Sequence, residues 1–216
     1  MIIFGATGMI GGGVLRECLL DDGVERVLVV GRSKTGKTDG KLHELVVPDL
    51  TDYTAVAGEL GGYDACFFCL GISSAGMDEA SYRRVTYDIA VAAARALVAA
   101  NPTMTFVFVS GAGTDATSKT MWARVKGETE KAILDLPFAR KYAFRPAFVR
   151  PMHGVTSRTR AYRVLYAVTR PVMPVLSALA PRYVTTTERI GRAMLSVARK
   201  GSSKAILESG DINAVG

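Results

Sequence analysis

Residues 1–11 read Met1-Ile2-Ile3-Phe4-Gly5-Ala6-Thr7-Gly8-Met9-Ile10-Gly11. The first four form a short apolar run that predicts a buried strand. The glycine segment predicts a tight turn from that strand into a helix beginning near Gly8. Glycine suits a place where a side chain would hold the backbone away from a pyrophosphate. The N–H groups at a helix start have no internal partners and sit at the positive end of the helix dipole. Strand, loop and helix in this order make a site for the phosphates of a dinucleotide. A G-x-x-G-x-x-G string is weak by itself in a chain with 22 glycines. Its position at the start of a β-α-β pattern gives it weight.

Working outward, the first helix is expected over Gly8–Leu20, with Val14, Leu15, Cys18 and Leu19 at helical spacing. Arg26-Val27-Leu28-Val29-Val30 is the second strand, and its β-branched run fits a parallel sheet covered on both faces. Arg32 follows at that strand's end, with Lys34 and Lys37 nearby. A carboxylate at this point would hold a ribose 2′-hydroxyl and repel a 2′-phosphate. A guanidinium pairs with phosphate oxygens, so NADP is favoured over NAD.

Leu42–Val47 is a third strand leading to Pro48-Asp49-Leu50. Asp49 either accepts a hydrogen bond from the adenine amino group or caps a helix over Tyr53–Leu60. Asp64–Leu70 is the fourth strand; its loop, Leu70-Gly71-Ile72-Ser73-Ser74, would cross the middle of the cofactor. Ser73 and Ser74 either bind substrate or are plain loop polar groups. A long helix is expected over Asp78–Ala100, stopped by Asn101-Pro102. A fifth strand (Thr103–Val109) ends at Ser110-Gly111, a helix covers Met121–Leu134, and a sixth strand runs from Tyr142 to Val149 across Arg145-Pro146.

This alternation predicts an α/β fold, a doubly wound parallel sheet of the Rossmann type. Ligands then gather at the strands' carboxyl ends, at Gly5, Arg32, Asp49, Leu70, Ser110 and Pro146. Residues 1–150 form the nucleotide-binding part. Residues 151–216 are expected to be a small, mostly helical substrate or lid lobe packed on it. Within that lobe, helices are expected over Arg158–Thr169 and Ile190–Ala198, the latter started by Thr185-Thr186-Thr187-Glu188. A proline-punctuated apolar stretch spans Pro171–Pro181, and a last strand covers Ala205–Leu207.

Composition narrows the classes. Hydrophobic residues make up 49% of the chain, enough for a sizeable core. Three cysteines give no disulfide framework, and Cys66 and Cys69 lie inside an apolar strand rather than a redox turn. No basic leader precedes the first strand. Together these features lead to the expectation of a cytoplasmic protein. Two histidines cannot build a histidine metal cluster, so no metal is expected. The net charge of +7 is concentrated in residues 138–200, which hold thirteen Lys or Arg against Glu188 alone. That excess suits an anionic small-molecule substrate, the cofactor, a membrane surface or plain solvation. Prolines and arginines interrupt 161–184, which argues against a transmembrane helix. No groove-reading motif accompanies the charge, so nucleic acid is not an expected partner. Either a monomer or a homodimer fits.

The glycine turn, Arg32, Asp49-Leu50, Ser110-Gly111, Lys126 and Arg145-Pro146 together resemble the short-chain dehydrogenase/reductase superfamily in its extended or atypical branch. Val125-Lys126-Gly127-Glu128 and Phe144-Arg145-Pro146 are most similar to its members related to nucleoside-diphosphate-sugar epimerases. The likeness covers most of residues 1–150. It implies cofactor contacts from Gly5, Thr7, Gly8, Met9, Ile10, Arg32, Asp49, Leu50, Leu70, Gly71, Lys126 and Pro146. It also implies a Ser, Tyr and Lys set in which the lysine binds the nicotinamide ribose and lowers the tyrosine's pKa. The tyrosine then exchanges a proton with a substrate oxygen.

Ser110 and Lys126 match that set. Four residues before Lys126, on the same helix face, stands Trp122. An indole N–H donates a hydrogen bond but does not titrate in the working range. Trp122 is a hydrogen-bond donor, an aromatic wall beside the nicotinamide, or a core filler. Replacement proton donors are Tyr82, Tyr87, Tyr162, Tyr183 and His153. Two functions compete: an NADP-dependent oxidoreductase or epimerase-like enzyme on a small carbonyl or hydroxyl compound, and a non-catalytic NADP(H)-binding redox sensor.

Overall fold

In the computed structural model, which describes residues 1–154 and 181–216, the amino-terminal run is strand β1 (Ile2–Phe4), buried throughout. The chain continues through α1 (Met9–Leu20), β2 (Val27–Gly31), β3 (Leu42–Val46) and β4 (Ala65–Phe68). Next come α2 (Glu79–Arg83), α3 (Ile89–Ala100), β5 (Thr105–Val109), α4 (Met121–Leu134), β6 (Arg140–Arg145) and β7 (Phe148–Arg150). The described C-terminal part adds β8 (Val184–Thr186), α5 (Thr187–Lys200), β9 (Ile206–Glu208) and α6 (Ser209–Val215).

Seven of these strands pair in parallel in the order β3-β2-β1-β4-β5-β6-β9. The chain winds one way from β1 to β3 and the other way from β4 onward. The crevice between the carboxyl ends of β1 and β4 is where such sheets hold ligands. The fold is therefore the doubly wound Rossmann type, with a mostly helical C-terminal region.

Strand side chains alternate between two cores. Ile3, Val29, Phe67, Val107 and Phe144 pack with Val14, Leu15 and Cys18 of α1 and with Ile190, Met194 and Val197 of α5. Ile2, Phe4, Cys66, Phe68, Phe106 and Phe108 pack with Ala90, Ala93 and Leu97 of α3 and Ile133 of α4. Burial on both faces is why these strands read as continuous apolar runs. A row of phenylalanine rings crosses the second core, with centroids 5.2 Å apart for Phe4–Phe68 and 4.9 Å for Phe106–Phe138.

The C-terminal region completes this architecture. β9 extends the main sheet beside β6, and α5 lies against α1. Glycines let the two helices meet: a Cβ on Gly13 would stand 2.5 Å from Thr187 Cβ, and one on Gly191 2.7 Å from Glu17 Cγ. Thr186 caps α5, its hydroxyl accepting the Arg189 N–H at 3.0 Å.

Several expectations are amended. The single strand over Tyr142–Val149 is two, β6 and β7, because Pro146 has no N–H for the ladder. β7 leaves the main sheet and pairs with β8. The helix over Tyr53–Leu60 is a 3₁₀ segment, Thr54–Glu59. The long helix is interrupted between α2 and α3 by a π-helical turn, Arg84–Asp88. The helix expected over Arg158–Thr169, and all but the last residue of Pro171–Pro181, lie outside the described residues.

The α1–α5 contact is directly testable. We expect Gly13→Val to lower unfolding free energy by about 1–3 kcal/mol, the usual cost of overpacking. Gly58→Ala, at a position with nothing within 4 Å, should stay within about 0.5 kcal/mol. Urea midpoints at unchanged slope give both numbers.

Candidate cofactor cleft

The crevice opens into a cleft of about 690 Å³, lined from Gly5 to Val149. Its floor is the turn after β1. Gly5 has φ +76°, and a Cβ there would lie 2.6 Å from the Leu70 amide nitrogen. A Cβ on Gly11 would lie 2.2 Å from the Gly5 carbonyl oxygen. Both glycines are thus required by chain-to-chain contact. Gly8 starts α1 without a side-chain cap, and no acidic residue stands in the first turn. The Gly8 N–H donates to the Gly5 carbonyl at 2.9 Å, while Met9 and Ile10, in the helix's first turn, have no intrahelical acceptor; Thr7, Gly8, Met9 and Ile10 all line the cleft.

The end of β2 contributes Arg32 and Ser33 to the lining. Arg32 is exposed and forms no ion pair among the described residues. Its loop is pinned from β3, where Glu44 Oε1 accepts the Thr35 N–H at 2.6 Å. Lys34 and Lys37 do not line the cleft. Leu50, Leu70, Gly71, Ser73 and Ser74 do. Asp49 stays outside: it is exposed, and its Oδ1 accepts from the Thr51 hydroxyl at 2.7 Å and the Thr51 N–H at 2.9 Å. Those bonds hold its carboxyl below the usual range. It caps this turn and not a helix.

The opposite wall comes from β5, α4 and the end of β6. Ser110, Trp122, Lys126 and Pro146 all line it. Ser110 is buried and its hydroxyl lies 2.9 Å from that of Thr114. Thr114 in turn donates to the Gly111 carbonyl at 2.8 Å. Lys126 Nζ donates to the Ser110 carbonyl at 3.1 Å. The residue is partly open to the cleft, yet protein surrounds its ammonium closely enough for burial to push the pKa down to about 8, with Glu130 one turn on opposing the shift. Glu130 itself is buried and held by Arg145 of β6, Nε to Oε1 at 2.9 Å. Trp122 stands one turn before Lys126, close to Gly113.

Of the other proton-donor candidates, only Tyr82 lines the cleft among the described residues. Tyr87 lies under the Arg83 guanidinium and Tyr183 under that of Arg182. Tyr162 lies outside the described residues. His153 has φ +55°, is exposed and meets Glu188 Oε2 at 2.7 Å, away from the lining. Cys66 and Cys69 form no redox turn, because burial raises both thiols. Among the described residues no group of three or more His, Cys, Asp or Glu is placed to hold a metal, and no helix is long and apolar enough to cross a membrane. The pairs Ser110–Thr114 and Glu130–Arg145 were not anticipated. Only Glu130, one helical turn beyond Lys126, gave a sequence hint.

The sheet order, the uncapped helix and the glycine turn define a Rossmann-type nucleotide-binding protein. A family model described as NAD(P)H-binding matches residues 5–144, and the chain belongs to that family, within the atypical short-chain dehydrogenases/reductases. It is 30% identical over 149 residues to "Protein FMP52-1, mitochondrial" of Scheffersomyces stipitis, covering 68% of this chain and 66% of that protein. It is 29% identical over 149 residues to rat HTATIP2, covering 68% and 61%. Emericella nidulans fmp52, also named mitochondrial, aligns at 24% identity over 92% of this chain and 86% of its own. Thus the alignments to the first fungal and the rat relatives span under two-thirds of those proteins. The Bordetella bronchiseptica enzyme WbmF in complex with NAD+ has a TM-score of 0.69 at 14% identity, covering 99% of this chain and 76% of that one. MoeE5 in complex with UDP-glucose and NAD has a TM-score of 0.68 at 16% identity, covering 96% and 74%.

The mitochondrial names correct the cytoplasmic expectation. Three cysteines without a disulfide do not specify a compartment.

Lys126 carries a cost that can be measured. Its folded pKa of about 8 lies below the ordinary 10.5. The penalty on stability is therefore full below about pH 8 and fades as the pH rises toward 10.5. We expect Lys126→Met to raise Tm by roughly 2–4 °C at pH 7, using the usual conversion for a domain of this size. The gain should shrink above pH 8, as followed by thermal melts across that range.

Proposed function

We propose that this chain is an NADP-dependent oxidoreductase or epimerase-like enzyme acting on a small carbonyl or hydroxyl compound, with Trp122 where the superfamily's tyrosine would stand. One observation carries the reading. A single cleft joins the uncapped start of α1, the exposed Arg32, and the Ser110–Lys126 contact. Its volume of about 690 Å³ falls within the ordinary range for ligand sites.

In this reading the backbone of Gly5–Ile10 holds the diphosphate, and Arg32 reads the 2′-phosphate. Leu50, Leu70 and Gly71 flank the dinucleotide, Lys126 holds the nicotinamide ribose, and Pro146 and Trp122 border the ring. The cofactor would supply hydride exchange; the chain supplies orientation and charge. Among the described residues the lining falls between Gly5 and Val149, in keeping with residues 1–150 as the cofactor part. The basic excess of residues 138–200, and UDP-glucose and UDP-glucuronic acid in structural neighbours, support an anionic substrate. The non-titrating Trp122 favours a second reading, an NADP(H)-binding redox sensor without turnover.

Trp122 is the chain's one tryptophan, so its fluorescence is a direct probe. We expect NADPH to quench it and to show energy transfer to the reduced ring. Arg32→Ala should weaken NADPH binding by roughly 10- to 100-fold, the worth of a charge-assisted phosphate contact, and leave NADH binding nearly unchanged. Equal weakening of both would remove Arg32 from the 2′-phosphate. A panel of carbonyl compounds followed at the NADPH absorbance then separates enzyme from sensor: binding with no turnover favours the sensor.

A further inference from the structure

We infer that Lys126 itself delivers the proton that completes carbonyl reduction, in place of a tyrosine hydroxyl; the inference rests on the reductase reading above. Four ionisable side chains line the cleft among the described residues: Arg32, Cys69, Tyr82 and Lys126. Arg32 stands at the end of β2, separated from β5 by β1 and β4, and a guanidinium does not release a proton in the working range. Burial raises the Cys69 thiol and makes it a poor acid. Tyr82 is buried on α2. Lys126 is tied directly to the Ser110 carbonyl, on the wall that also carries Trp122 and Pro146.

Ser110 cannot take the role. The Thr114 hydroxyl spends its hydrogen on the Gly111 carbonyl. The 2.9 Å contact between the two hydroxyls is then donated by Ser110, since each hydroxyl has one hydrogen. Ser110 offers lone pairs to the cleft and no proton. Lys126 has three donors, one of them engaged by the Ser110 carbonyl, so the ammonium can also reach a substrate oxygen.

Glu130 is the charge that favours the Lys126 ammonium, and it is shared with another cation. Glu130 is bound by Arg145 of β6. On the facing elements, Arg83 is paired with Glu128 and Arg124 with Glu79. The π-helical turn beside α4 brings Arg84, Tyr87 and Asp88, and Tyr87 lies under Arg83.

The step balances as follows. The substrate's carbonyl carbon takes hydrogen with its electron pair from the reduced dinucleotide, which is oxidised. The substrate oxygen takes a proton from Nζ: one N–H bond breaks and one O–H bond forms. Lys126 is left a neutral amine, a form that burial makes easier to reach, and water returns its proton.

Two measurements test this. Selectively 15N-labelled lysine, assigned by loss of one signal in Lys126→Arg, should show Nζ titrating near pH 8 in the protein without nucleotide. A midpoint near the ordinary 10.5 would overturn the inference. With a reducible carbonyl, kcat/KM should be level at lower pH and fall tenfold per unit above the Lys126 midpoint, the behaviour of a required acid. Lys126→Arg should still bind NADPH, read by tryptophan quenching, yet lose roughly 100-fold or more of turnover, the usual share of acid–base catalysis. Turnover retained by Lys126→Arg, or a pH limb abolished by Tyr82→Phe instead, overturns the inference alone. NADPH left unoxidised with every carbonyl overturns the reductase reading and the inference with it.

Discussion

The molecule depends on how closely backbone passes backbone at the end of β1. Gly5 abuts the Leu70 amide, and Gly11 abuts the Gly5 carbonyl, at distances no side chain can occupy. The turn, the loop after β4 and the first turn of α1 are therefore one interlocked unit. This contact puts the start of α1 at the reversal of the sheet. Gly13 and Gly191 then let α5 seat α1 from behind. The motif's glycines thus serve mainly the protein's own packing. Gly8 is the least crowded of the three, its Cβ coming only to 3.3 Å of the Gly5 carbonyl oxygen.

A second fixed point sets the other wall. A Cβ on Gly127 would lie 2.2 Å from the Ala116 amide nitrogen, so α4 can approach the loop after β5 only with glycine there. The neighbouring residue, Lys126, is thereby aimed at the Ser110 carbonyl. The buried Glu130–Arg145 pair ties the same helix to β6. Buried ion pairs add little net stability, because desolvation offsets attraction. What this pair does is hold α4 in one register, and it takes up the carboxylate that would otherwise neutralise Lys126. Arg145-Pro146 thus combines a helix anchor with a residue of the cleft wall.

Legibility in the sequence followed burial. Strands covered on both faces carried unbroken apolar runs, and α4 was read at its observed bounds of Met121–Leu134. The glycine turn was legible because backbone geometry at a strand end is a local property. Long-range contacts were not legible. His153, for example, is held by Glu188, 35 residues away. β9 was recognised as a strand, but its pairing with β6 and the packing of α5 on α1 join residues far apart in the chain. The hydroxyl pair Ser110–Thr114 likewise arises from the shape of a loop.

Lys126 separates a structural site from a working one. A position that only fills space would be occupied by methionine or leucine, which tolerate burial without a desolvation cost. A position that only pairs charge would reach a carboxylate, yet the nearest one on its helix is committed to Arg145. What remains is an ammonium held against a carbonyl oxygen, partly open to the cleft and poised between its two protonation states. Proteins keep such costs where function requires them. A sensor that only bound the ribose would be served as well by a fully solvated, permanently charged group. In the inference drawn above, departure of the proton is what gives that cost a use.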